Sequence, residues 1–147
     1  MLIETPFLSV IVPVYNGRAF LHRCLDAIFA SEYRSFEVVV VNDCSTDDSA
    51  EISREKGARV ISTPKQTGPA SARNLAVASA NGDVLLFVDA DVVVKPDTLG
   101  KIAEHFERRP EISAVFGSYD DEPAERNFLS QYKNLQHHFV HQNSNSK

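Results

Sequence analysis

Two carboxylates one residue apart, Asp89 and Asp91, come directly after the apolar run Leu85-Leu86-Phe87-Val88. That run reads as a strand buried on both faces. A core strand that delivers unpaired carboxylates to its end needs a cation, a donor or solvent there. A hard divalent ion such as Mg²⁺ fits, because it takes carboxylate oxygens and completes its shell with water and phosphate. The pair therefore reads in two ways: a metal–diphosphate site at the carboxyl end of a parallel strand, or a strand terminus that caps the next segment.

Two further apolar runs end in polar residues, at Tyr15-Asn16 and at Asn42-Asp43. The residue types suit a nucleoside diphosphate. Asp43 can accept the imide N–H of a uracil ring, and backbone groups along Pro13, Val14, Tyr15 and Asn16 can meet its carbonyls. Tyr15 can pack on the base, and Arg73 offers a guanidinium to the base or to a phosphate. Asp91 would hold the metal that bridges the diphosphate, with Asp89 on the ribose hydroxyls or on a metal-bound water. Each has a plainer reading. Asp43 and Asp47 can organise a turn, Asp47 capping its own helix, and Arg73 can be a surface residue. Cys24 reads as a packed small hydrophobe and Cys44 as a turn residue. His137 and His141, spaced i, i+4 beside His138, read as a polar helix face, and Asp120, Asp121, Glu122 and Glu125 as a solvated acidic loop.

The elements that must position these groups alternate. Leu8–Val14 is a first strand, ended by Pro13 and the turn at Asn16-Gly17. A helix from Arg18 carries Leu21, Cys24, Leu25, Ile28 and Phe29 on one side. A second strand, Phe36–Val41, leads to a short helix capped by Ser45 or Thr46, with Asp47 and Asp48 in its first turn and Gly57 at its end. Arg59–Ser62 is a third strand. Pro69 opens a helix with a small-residue face of Ala72, Leu75, Ala76 and Ser79, which Asn81-Gly82 stops before Leu85–Val88. Pro96 starts a helix presenting Leu99, Ile102, Ala103 and Phe106, and Pro110 closes it. Ile112–Phe116 is expected as a fifth strand and about 124–140 as a last helix, striped by Phe128, Tyr132, Leu135 and Phe139. Strand–helix alternation with short connections predicts an α/β domain with a mainly parallel sheet flanked by helices. Such sheets bind ligands beyond the carboxyl ends of their strands.

The 147 residues suit one domain, 1–147, with a core over about 7–117. A formal net charge of -5 excludes broad electrostatic capture of nucleic acid or anionic lipid, so an anionic ligand requires a local device. No apolar run reaches the length of a membrane span, and the two cysteines show no redox or metal spacing. A cytoplasmic setting is expected, with attachment to the inner face of a membrane left open.

Four stretches taken together resemble the family 2 glycosyltransferases of the GT-A fold. They are Val10–Asn16, Val40–Asp47, Gly68–Asn74 and Phe87–Asp91, in that order and spacing. The resemblance implies an inverting transferase that uses a UDP- or GDP-linked sugar with Mg²⁺ or Mn²⁺. By matching position it places Pro13, Tyr15, Asp43 and Arg73 in the nucleotide pocket and makes Asp89 and Asp91 the Asp-x-Asp pair. Where the family pattern has Asp-Asp-Gly-Ser, this chain has Asn42-Asp43-Cys44-Ser45, and Cys44 in place of glycine restricts a turn that needs positive φ. The acceptor-binding half and its general base are not recognisable, so the catalytic residue is unknown. The chain reads as the donor-binding half of a longer enzyme, with an unknown acceptor and a surface able to self-associate. The competing reading is a degenerate, non-catalytic donor domain acting in dimerisation or regulation.

Overall fold

The computed structural model describes residues 5–115 and 117. The chain divides into two compact units, Met1–Pro110 and Glu111–Lys147, and all regular structure among the described residues belongs to the first. Its order is β1 (Leu8–Val14), α1 (Arg18–Phe29), β2 (Phe36–Asn42), α2 (Ser49–Glu55), β3 (Arg59–Ser62), α3 (Pro69–Val77), β4 (Val84–Phe87) and α4 (Thr98–Arg108). The four strands are all parallel in the order β3-β2-β1-β4. The chain thus winds outward from β1 to β3 on one side, then crosses back to lay β4 on the other. The strand order reverses between β1 and β4, the place where parallel sheets open a crevice.

The pleat assigns alternate residues to two cores. Leu8, Val10, Val12 and Val14 of β1 and Val38 and Val40 of β2 face Leu21, Cys24, Leu25 and Ile28 of α1, with Ile52 of α2 and Leu99 of α4 in the same cluster. The opposite face is smaller: Ile11, Val39 and Val41 pack on Ala72 and Ala76 of α3. Two alanines one turn apart let that helix lie close to the sheet. Burial of β1 and β2 on both faces explains why they read as unbroken apolar runs.

Three expectations need correction. β4 is not covered on both sides: Leu85 and Phe87 are 37% and 45% exposed, because β4 is an edge strand and α3, with Leu75 itself 41% exposed, packs on β1 and β2 instead. The short helix begins at Ser49, so Asp47 precedes it and Asp48 stands at its N-cap without a side-chain capping bond. Its end is as expected: Gly57, at φ 91°, donates to the Arg54 carbonyl while Ala58 donates to that of Ser53, a Schellman closure. Ile112–Val115 form no strand, since a strand exists only through pairing and these residues have no ladder partner among the described residues. Phe116, the helix expected at about 124–140, the three histidines and the 120–125 acidic loop lie outside the described residues.

Candidate functional site

The carboxyl ends of β2, β1 and β4 are neighbours along one edge of the sheet, and the loops that leave β1 and β2 are bonded to each other. At the end of β1, Asn16 takes a left-handed φ of 49°, which Asn tolerates. Its side-chain oxygen accepts from the Thr46 N–H at 2.8 Å, while its own N–H donates to Ser45 Oγ at 3.0 Å. Gly17 N–H donates to Ser49 Oγ, also at 3.0 Å. A side chain at Gly17 would meet Val14 Cγ2 at 2.4 Å, so the chain can turn into α1 at this point only as glycine. Tyr15 stands beside this stitched pair of loops and is 47% exposed.

Asp47 takes part in the stitching. One carboxylate oxygen accepts from the N–H and hydroxyl of Ser49; the other accepts from the N–H of Arg18 at 3.0 Å. Arg18 is the first residue of α1 and Ser49 the first of α2, so Asp47 caps the N-terminus of α1 from another loop as well as accepting from the first N–H of the helix that follows it. Burial works to raise its pKa, but the bonds from Ser49 and Arg18 and the charge of Arg18 outweigh that and hold it below the usual carboxylate range.

Asp43 sits one residue beyond β2 and is 3% exposed. Its Oδ1 accepts from Thr63 Oγ1 at 2.9 Å, Thr67 N at 2.8 Å and Thr67 Oγ1 at 2.7 Å, and its Oδ2 accepts from Gly68 N at 2.7 Å. Desolvation alone would raise this carboxyl; the hydrogen bonds from Thr67, Gly68 and Thr63 prevail and keep it ionised below the usual carboxylate range. Next to it, Cys44 is at φ 61°, the left-handed region that its position in a glycine turn implied.

Gly68 leads into Pro69, the first residue of α3, and one turn along that helix Arg73 Nη2 donates to Asp89 Oδ1 at 2.5 Å. Arg73 is thus partly buried and paired, and its Nε–H has no hydrogen-bond partner among the described residues. Asp89 starts a turn in which its carbonyl accepts from Val92 N–H at 2.9 Å and from Cys24 Sγ at 3.6 Å. Cys24 is fully buried, and desolvation together with Asp91 and Asp89 pushes its thiol up to about 12, so it remains a protonated donor. Asp91 is exposed and makes no hydrogen bond or ion pair among the described residues.

Pro13 decides where the acidic turn begins. Odd residues of β1 bond toward β4, as Val88 N–H to the Ile11 carbonyl shows, and even ones toward β2, as Asp43 N–H to the Val14 carbonyl shows. The next donor facing β4 would be residue 13, which as proline has none. The β1–β4 ladder stops at Ile11–Phe87, and the chain leaves the sheet into Asp89–Asp91. The strand β1 itself continues through Pro13 to Val14 against β2.

The expected residues are therefore gathered on one edge, and a continuous line of bonds runs from Asp43 through Thr67 and Gly68, along α3 to Arg73, and on to Asp89. Asp91 stands two residues further on and Pro13–Asn16 between the two ends. Ser45, Thr46, Ser49, Thr63 and Thr67 organise the rim and were not expected as site residues; the Ser/Thr-rich composition of 45–49 and 62–67 was the available signal. Among the described residues no three His, Cys, Asp or Glu side chains form a metal cage.

Comparison with known proteins gives this edge a context. The profile of Glycosyl transferase family 2 matches residues 9–146. The glycosyltransferase GlyG of Streptococcus pneumoniae is 30% identical over 117 residues, covering 76% of this chain and 38% of that protein. Among solved structures, Staphylococcus aureus TarS 1–349 in complex with UDP-GlcNAc superposes with a TM-score of 0.67 at 30% identity, over 80% of this chain and 39% of that one. The mannosyltransferase PcManGT of Pyrobaculum calidifontis, in complex with GDP-Man and Mn²⁺, gives 0.69 at 27% identity, over 90% and 39%. The chain spans about two fifths of the length of these relatives. The fold is that of the GT-A glycosyltransferases, and the chain belongs to glycosyltransferase family 2.

Proposed function

We propose that this chain is the donor-binding half of an inverting glycosyltransferase that takes a UDP- or GDP-linked sugar. The observation that carries the reading is the bonded line along the β2-β1-β4 edge, which ties the Arg73–Asp89 pair and the start of α3 to the strand ends. A nucleotide laid along that edge would meet backbone groups of Pro13–Asn16, the half-exposed ring of Tyr15, and Arg73. The unpartnered Nε–H of Arg73 favours an anionic acceptor close by, since a buried donor without a partner is costly. Asp89 keeps Oδ2 clear of its ion pair, available for ribose hydroxyls or a bound water.

A divalent ion fits the residues present. Mg²⁺-type ions are commonly held by one or two carboxylates and completed by substrate phosphates and water, not by an all-protein cage. Asp91, exposed and unengaged among the described residues, supplies such a carboxylate, with Asp89 beside it. When bound, the ion would neutralise charge on the departing diphosphate. The chain's own residues would orient the donor, and a general base from an acceptor-binding half would take the proton of the attacking hydroxyl. Asp43, Asp89 and Asp91 all stand at their strand ends, and although Asn42 and Cys44 depart from the family pattern, the degenerate-module reading is not favoured.

The test is thermal unfolding with UDP or GDP and Mn²⁺. Binding to the folded state at a hundredfold excess over Kd should add about 2.7 kcal/mol of stability, a rise of several degrees. Asp91→Ala should lose the metal-dependent part of that rise while unfolding normally without ligand. No stabilisation by either diphosphate at millimolar concentration would refute the donor-site assignment.

A further inference from the structure

The face of the sheet beneath α3 changes character along its length. Toward the carboxyl edge it is apolar, with Ile11, Val39, Val41 and Ile61 around Ala72 and Ala76. Toward the amino edge the same rows continue as Ser9, Glu37 and Arg59, each two residues earlier on its strand. α3 runs back from the carboxyl edge and ends at Ala78 over this polar end. There Glu37 gathers the chain. Its Oε1 accepts from Ser9 Oγ at 2.7 Å and from the Asn81 N–H at 2.8 Å, and its Oε2 from Arg59 Nη2 at 3.0 Å. Arg59 Nη2 also donates to the Ser79 carbonyl at 2.8 Å, and Ser9 Oγ accepts from the Gly82 N–H at 2.8 Å. A Cβ on Gly82 would stand 2.4 Å from Ser9 N, so only glycine lets this turn lie flat on β1.

These bonds matter because the helix itself grips the sheet weakly. Helices lock in place when side-chain ridges enter the grooves of a neighbour, and the two buried residues of α3 are alanines, whose methyl groups make a shallow ridge. Such a contact keeps the helix close to the sheet without fixing it along its own axis. The bonds at the exit supply that restraint. Arg73 is joined to the exit by five residues of helix, about 7.5 Å of rigid rise, and pairs with Asp89 at the opposite edge.

We propose, building on the donor-site reading above, that Glu37 is a positioning residue: with Ser9 and Arg59 it clamps the Ser79–Gly82 exit of α3, fixes the helix along the sheet, and so sets where Arg73 meets Asp89. A carboxylate serves better here than an amide because Ser9, Asn81 and Arg59 all approach it as donors. A glutamine would turn an NH₂ against one of them.

The experiment compares wild type with Glu37→Gln, Arg59→Met and Ser9→Ala. Ile28→Val, a loss of packing in the other core, is the control for lowered stability. The first readout needs no nucleotide: the methyl NMR signals of Ala72 and Ala76 and the Nε–H signal of Arg73. The three clamp variants should shift or broaden all of these, and Ile28→Val should leave them in place. Should Glu37→Gln fail to fold, Arg59→Met and Ser9→Ala carry the same comparison. The second readout is affinity for UDP or GDP with Mn²⁺. Glu37→Gln should weaken it by about fivefold, while Ile28→Val should stay within about twofold of wild type.

Three results overturn the proposal. One is unchanged Ala72, Ala76 and Arg73 signals in the folded clamp variants. Another is an equal loss of affinity in Ile28→Val and Glu37→Gln, which would make the effect one of stability alone. The third is signals that move while nucleotide affinity does not, which would leave the clamp without bearing on the donor. If wild type binds neither diphosphate, the donor-site reading fails, and the NMR signals alone decide whether Glu37 seats α3.

Discussion

Cys44 holds a left-handed backbone conformation that costs a residue with a Cβ about 1–2 kcal/mol relative to glycine. Its thiol returns little, with a single long contact of 3.9 Å to the Pro64 carbonyl. Cys44→Gly should therefore stabilise the fold by about 1 kcal/mol, after allowing for the extra freedom glycine gains in the unfolded chain. The check is a higher urea midpoint with an unchanged m-value. This strain was readable from the sequence alone, because the turn motif names the position where glycine is normally required. The hydrogen-bond partners of Asp43 were not, since they lie 20 to 25 residues away and only folding brings them in. Asp47 is intermediate: its capping chemistry toward the helix that follows was legible, but its second bond, to the start of α1, was not.

The same division runs through the elements. β1, β2 and β3 were legible because short apolar runs bounded by Gly, Pro and Asn admit few alternatives. The start of α2 was not, because Ser45, Thr46, Asp47 and Asp48 are all good capping residues in succession and tertiary bonds to Asn16 and Arg18 choose among them. Nor could the run Leu85–Val88 reveal which of its faces the other elements cover. Leu85 and Phe87 lie on the α3 side of the sheet, level with Ser9 and Ile11, and remain substantially open. An apolar face of this kind binds hydrophobic dyes. Phe87→Thr combined with Leu85→Thr should lower ANS fluorescence severalfold and leave the far-UV circular dichroism of the sheet intact; equal dye binding would place the exposed patch elsewhere.

Taken as a whole, the molecule should be sensitive to acid. Glu37 accepts from Ser9 Oγ at 2.7 Å, the Asn81 N–H at 2.8 Å and Arg59 Nη2 at 3.0 Å. Partial burial opposes its charge, yet the bonds from Asn81, Ser9 and Arg59 bring it down to about 2 from 4.5. Asp43 and Asp47 are lowered as well. In each case the unfolded chain binds the proton more readily, so the stabilisation is complete above about pH 4.5 and is lost as pH falls toward the folded-state values. For Glu37 the loss, discounted for its solvent-facing edge, is on the order of 1–2 kcal/mol. Urea midpoints should be flat from pH 7 to 5 and fall steeply between pH 4.5 and 2, and Glu37→Gln should flatten that slope while lowering the plateau.

The missing hydrogen of Pro13 has a dynamic consequence. A backbone hydrogen bond between residues 13 and 88 would make the acidic segment an extension of the sheet, rising and falling with the core in one cooperative unit. Without it, Asp89–Asp91 is held by the Arg73 pair and by the bonds from Val92 and Cys24 to the Asp89 carbonyl, and its amides should exchange ahead of those of β1 and β2. One imino acid thus leaves the hold on the acidic segment to side chains and turn bonds instead of the sheet.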